Sequence, residues 1–295
     1  SSKAIDVLYD LRDRTTRTDY WNTQGMEIWR SVIDNALVNT FVRKREWRMA
    51  LKSLDNLLDG LDHGVDREVE WWCSSDSAER SDGAVSAEER IQMKDLITSA
   101  AHVELLSRQL LILLQSGAIS AGETIQHDVR LHATKVESLM SDAMRSNENM
   151  TTLSRMTREM VMVRQVPIRA QLNEGLLQFA RCNYTDAASC FRHALAQQRQ
   201  LDETSSASTE IVKSSECQTD KDLSSPTLGF DTLPSLTVEA LNNLSLCLLY
   251  LGNMRNAVQE LEGLIREDPC VYLTEGIAFN LCTLYELGLD GEECT

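Results

Sequence analysis

Five histidines, eight cysteines and 45 carboxylates are the groups in this 295-residue chain that could carry out chemistry. Metal binding needs His and Cys ligands that converge, and His127 and His132, five residues apart, drift to different faces of a helix and make a poor pair. The cysteines, at positions 73, 182, 190, 217, 247, 270, 282 and 294, include no CxxC pair. Cys182, Cys190, Cys247 and Cys282 fall within helical patterns, where a reduced thiol acts as a small apolar filler, and this use of cysteine implies a cytosolic setting. Acid–base catalysis by carboxylates needs a facing pair, whereas Glu88 and Glu89, or Glu292 and Glu293, are neighbours in sequence and point apart on a helix. A Walker-type glycine loop, a nucleophile elbow and an HExxH motif are all absent, and glycine is too sparse for a phosphate cradle. The expectation is a chain with no catalytic residues, no metal site, no cofactor and no small-molecule substrate.

Lys and Arg total 29 against 45 Asp and Glu, a formal charge of -16 that repels phosphate backbones and anionic lipid surfaces, so nucleic acid is not an expected partner. The longest apolar runs are short pieces such as Leu110 to Leu114, below the roughly 18 to 20 residues of a bilayer span, and direct membrane insertion is not expected.

The elements that would position a site are helical. In VEALNNLSLCLLYLGNMRNAVQELEGLIREDP, from Val238 to Pro269, Leu241, Leu244 and Leu248 line one helix and Gly252 breaks it. Ala257, Leu261 and Leu264 line a second helix, with the small Ala257 allowing close approach, and Pro269 stops the unit. This is the pattern of a tetratricopeptide helix-turn-helix repeat of roughly 34 residues. A second match, LNEGLLQFARCNYTDAASCFRHAL, places Gly175, Tyr184, Ala187, Phe191 and Ala194 on the turn and packing positions. A weaker third uses Leu37, Phe41, Trp47, Ala50, Leu54 and Leu57. After Pro269, EGIAFNLCTLYEL reads as the first helix of another unit, with Asn280, Leu281 and Tyr285 standing where Asn243, Leu244 and Leu248 stand. Because each unit bares an apolar face until a neighbour stacks on it, the chain looks cut from something longer. The predicted class is all-α, a tetratricopeptide-repeat-like solenoid of antiparallel helix pairs.

Residues 1–23 read as an N-terminal segment or linker, and 24–201 as helical repeats, with the weak repeat at 31–64, the better one at 168–201 and a mobile loop at 74–85. Ser86 opens a capping box with Glu89, starting a helix that ends near Ser116 and Gly117. Further helices are expected across Glu123 to Arg145 and Met150 to Val166, with Pro167 restarting the chain. The Ser/Thr-rich stretch 202–235 cannot bury enough apolar surface to offset its ordering entropy and reads as a disordered insertion, with a phosphosite at Ser225 conceivable. The C-terminal repeats, the last incomplete, occupy 236–295.

Stacked first helices form a face suited to a helix or extended segment of a partner, and here that face would include Asn242, Ser245, Leu249, Glu275 and Ala278. The Lys and Arg partners of a peptide-terminus clamp are absent beside Asn242 and Asn243. Trp71, Trp72 and Cys73 invite a second binding hypothesis, set against a plain packing contact, and Tyr250, Tyr272 and Tyr285 read as packing.

The run from Asn242 to Leu287, with its CLLYLG turn, DP stop and FNLCTLYEL helix, resembles the C-terminal tetratricopeptide region of the subunit 12 family of the trafficking protein particle (TRAPP) complex. That resemblance implies a scaffold subunit of the TRAPP III tethering and Rab-exchange assembly, partnered by other TRAPP subunits and in particular by the large subunit 11. It also implies a cytoplasmic location peripheral to the endoplasmic reticulum–Golgi intermediate compartment and Golgi. The alternative is a free-standing tetratricopeptide adaptor or co-chaperone that binds a peptide segment.

Overall fold

The computed structural model describes residues 2–16, 23–77, 85–145, 152–213 and 236–292. Among these there are thirteen helices and no strand: α1 (Ser2–Thr16), α2 (Thr23–Arg43), α3 (Trp47–Asp59), α4 (Leu61–Ser77), α5 (Ala87–Gln115), α6 (Ile119–Arg145), α7 (Thr152–Glu159), α8 (Val161–Ala180), α9 (Tyr184–Lys213), α10 (Leu236–Tyr250), α11 (Met254–Glu267), α12 (Pro269–Tyr272) and α13 (Glu275–Glu292). The fold is all-α and built from helix pairs. The described residues up to Pro167 form one compact unit and those from Ile168 onward a second.

The first unit is organised around α5, which packs against α3, α4, α6 and α7. Its Leu96, Ile97, Ala100, Ala101, Leu105 and Leu110 are buried. By length and composition α5 could cross a bilayer, although its unbroken apolar runs are short. Yet 67% of its most apolar window is buried inside the protein, as in a core helix. Ser86 Oγ accepts from the Glu89 amide at 3.1 Å, capping α5. The Glu89 carboxylate accepts from the Leu153 amide at 2.9 Å and so caps α7.

Several expected boundaries need correction. The segment 1–23 carries α1, which packs on α2 through Tyr9 against Phe41, ring centroids 6.4 Å apart, and through an ion pair of 2.9 Å from Arg12 to the buried Asp34. The expected loop at 74–85 begins on α4, which continues to Ser77, and the stretch from 202 begins on α9, which continues to Lys213. Pro167 lies inside α8 and does not start a helix. The rest of 74–85 up to residue 84, the remainder of 202–235 including Ser225, and Cys217 and Cys294 lie outside the described residues.

Four inter-helix turns share one geometry. Arg45, Gly117, Cys182 and Gly252 adopt positive φ of 59°, 82°, 63° and 77°. At each, the following amide donates five residues back: Glu46 to Phe41, Ala118 to Leu113, Asn183 to Gln178 and Asn253 to Leu248, at 2.8–2.9 Å. The positive-φ amide itself donates three residues back, completing a Schellman C-cap that reverses the chain into the next helix.

Candidate partner-binding surface

In the second unit, a single core joins α9, α10, α11 and α13 to the part of α8 from Ile168. Ala187, Phe191, Ala194, Leu241, Leu244, Leu248, Ala257, Leu261 and Leu264 are all buried in it. Gly175 lies on α8 against the Phe191 ring, where a Cβ would meet Cε1 at 2.6 Å, so it is a packing residue and the turn of that pair belongs to Cys182. Pro269 follows the end of α11 and opens the short α12, whose N-cap Asp268 accepts from the amides of Cys270 and Val271.

Two of the expected packing residues lie at the margin of this core and not inside it. Tyr184 is half-buried and stacks flat on Tyr250, centroids 4.6 Å apart, with Phe179 set edge-on to both. A hydrogen bond with Cys182, then burial, raises the Tyr184 hydroxyl above the ordinary phenol range. Tyr285 is 44% exposed and donates to the Glu262 carboxylate, a bond that raises its pKa. The reason lies in the stack. Ile277 and Leu284 match Ala240 and Cys247 on α10 at the same spacing, and all four are buried. Leu281, Cys282 and Tyr285 match Leu244, Ser245 and Leu248, which are buried on α10, a helix with both α9 and α11 packed against it. Among the described residues no second helix follows α13, so Leu281 is only partly buried and Cys282 and Tyr285 are exposed.

The expected partner face also changes. Ser245 is fully buried, its hydroxyl donating to the Asn242 carbonyl at 2.7 Å, so it cannot meet a partner. Leu249 is partly buried against the core. Glu275 is exposed, while Asn242 and Ala278 are half-buried. Asn280 donates through Nδ2 to Asn242 Oδ1 at 2.6 Å, joining α13 to α10. Three residues before Asn242, Glu239 pairs with Arg169 of α8 at 3.4 Å. The i,i+3 spacing of Glu239 and Asn242 puts both links on one side of α10. This polar line across three first helices went unseen in the sequence because its members come from three separate segments. Beyond it, Phe279, Val271, Leu273 and Leu287 are 45–70% exposed, leaving an apolar border around α12 and α13.

In the first unit, Trp72 is buried, donates to Glu68 at 3.1 Å and holds the Arg155 guanidinium 5.4 Å from its ring centre, with Trp71 edge-on at 5.1 Å. These are packing contacts. His132 pairs with His102 and not with His127, the rings stacked at 4.6 Å between α5 and α6. Burial, then the charges of His102 and Lys135, lowers the His132 pKa against the opposing effect of Asp128. Burial pushes the Cys247 thiol up to about 11. Among the described residues no three His, Cys, Asp or Glu side chains gather as a metal site.

No family model matches the chain, and no solved structure does. Over 46 residues it is 48% identical to trafficking protein particle complex subunit 12 of Homo sapiens, and equally to that of Mus musculus. A short region of this chain is related to that subunit. The match covers 16% of this chain and 6% of each relative, so the chain spans only a small part of their length.

Proposed function

We propose that this chain is a non-catalytic scaffold subunit of the TRAPP III vesicle-tethering and Rab-exchange complex, acting in transport from endoplasmic reticulum to Golgi. Its partners are other TRAPP subunits, the large subunit 11 foremost, and its place is cytoplasmic, at the surface of the intermediate compartment and Golgi. The observation that carries the reading is the 48% identity to subunit 12 over 46 residues, in a chain whose second unit is a stack of helix pairs. Stacked pairs supply long faces suited to holding partner segments. The exposed apolar residues of α12 and α13 supply the kind of surface that assembly covers.

Affinity purification of the tagged chain from cells, followed by a moderate salt wash and mass spectrometry, tests this. Near-stoichiometric recovery of the large and core TRAPP subunits is the expected result. Recovery of chaperones alone would overturn it in favour of a free-standing adaptor that binds peptide segments.

A further inference from the structure

We propose that the open face of α13 is a docking site for a basic amphipathic helix of a partner protein. The proposal deepens the scaffold reading and rests on it for the source of the helix.

Ile277 and Leu284 turn into the core shared with α10 and α11. Beside them, Ala278, Leu281, Cys282 and Tyr285 recur at i, i+3, i+4 and i+7 and share one side of α13. Ala278 and Cys282 are small and form one i,i+4 row, set between the larger Leu281–Tyr285 row and Phe279, which is 70% exposed. A trough between two ridges of side chains is what a ridge of a second helix fills. Tyr285 is held toward α11 by its bond to Glu262, which fixes the ridge nearer the core. An extended segment laid here would set unpaired main-chain N–H and C=O groups against Leu281, Cys282 and Phe279, whereas a helix has already satisfied its own.

The charge of the occupant follows from this face itself. Glu275 and Glu286 are exposed, and their spacing from Cys282, seven residues before it and four after, puts them on its side of the helix. Neither α12 nor α13 carries a Lys or Arg, and the nearest cation in sequence, Arg266 of α11, is engaged by Glu262. The last turn of α13 holds no basic residue, although the helix dipole there favours a cation. A helix whose apolar stripe is flanked by Lys and Arg supplies these missing countercharges. A second copy of this chain would instead set its own Glu275 and Glu286 against the same acids, so charge disfavours self-association through the face.

The test places the photo-crosslinking residue p-benzoylphenylalanine at Cys282, an exposed position, in the full tagged chain expressed in cells. The expected product joins this position to a TRAPP subunit, with peptide mass spectrometry locating the link in a segment whose apolar residues recur at helix spacing between Lys and Arg. A synthetic peptide of that segment, titrated against the full chain by fluorescence anisotropy, should bind about three- to tenfold more weakly after Glu275→Lys or Glu286→Lys. Glu137→Lys, the same change of charge at an exposed position of α6, should leave the affinity unaltered. Affinities indifferent to both face variants, or equally sensitive to Glu137→Lys, would overturn the proposal. So would a link to a second copy of this chain, to another part of the same chain, or to a segment without the helical stripe. TRAPP subunits that copurify with no link from position 282 refute the docking face alone. A link to a basic helix of another protein, with no TRAPP subunits recovered, refutes the source alone.

Discussion

Replacing Gly175 by alanine sets two effects of opposite sign against each other. Alanine is favoured over glycine inside a helix by about 1 kcal/mol, so a substitution into open space should stabilise. At Gly175, however, the new Cβ would lie 2.6 Å from Phe191 Cε1 and 2.9 Å from Cδ1 and Cζ. The ring cannot step aside cheaply, since Phe191 is fully buried with Ala187, Ala194, Leu241 and Leu244 in the same core. Overpacking of this kind costs about 1–3 kcal/mol, and the short contact to the ring places the cost toward the upper end. The net expectation is a loss of about 1–2 kcal/mol, or roughly 2–8 °C in the melting temperature of the second unit. Gly263, inside α11 with nothing within 4 Å of its Cβ position, is the matched control, and Gly263→Ala should stabilise by about 0.5–1 kcal/mol. Urea titrations followed by circular dichroism would measure both, with an unchanged slope showing that the same surface unfolds. If Gly175→Ala proved as stable as wild type, the close crossing of α8 and α9 would be wrong, and with it the assignment of Gly175 to packing.

Arg45→Gly should stabilise the first unit by about 0.5–1 kcal/mol in the same assay, because an L side chain at φ 59° costs more than glycine loses in chain entropy. His132 is harder to protonate folded than unfolded, so the unfolded state binds more protons between the depressed folded pKa and about 6.5. Stability should therefore fall as pH drops through that window, and His132→Gln should flatten the dependence in urea titrations across it. Brief iodoacetamide treatment of the native chain should label the exposed Cys182, Cys270 and Cys282, while the buried Cys73 and Cys247 react only after denaturation, as peptide mass spectrometry would read out.

The helix pairs were legible because their packing is local. Ala187, Phe191 and Ala194, or Ala257, Leu261 and Leu264, recur at spacings that one helix face imposes. Capping at Ser86 was legible for the same reason, since the bond to Glu89 spans three residues. What escaped depended on partners distant in sequence. The Glu89 carboxylate turns to Leu153, 64 residues away, and no local rule distinguishes that choice from the return bond of a capping box. Helix α1 lacks a repeat pattern, yet Arg12 and Tyr9 find Asp34 and Phe41 on α2. His132 was weighed against its sequence neighbour His127, while its stacking partner His102 lies on the preceding helix.

Tyr285 and Ser245 show how a repeat template misleads in opposite directions within one array. The template assigns a position by its register, but burial at that position requires the neighbour that the register presumes. Ser245 lies on α10, which is covered by α9 and α11, and is fully buried, so it cannot serve a partner. Cys282 holds the equivalent position on α13 and is exposed, as is Tyr285 one turn further on. Residues that match the repeat equally well thus differ in what they can do. Exposure follows the stack and not the register, and a side-chain bond such as that of Asn280 to Asn242 ties α13 to α10 without any signal in the repeat pattern.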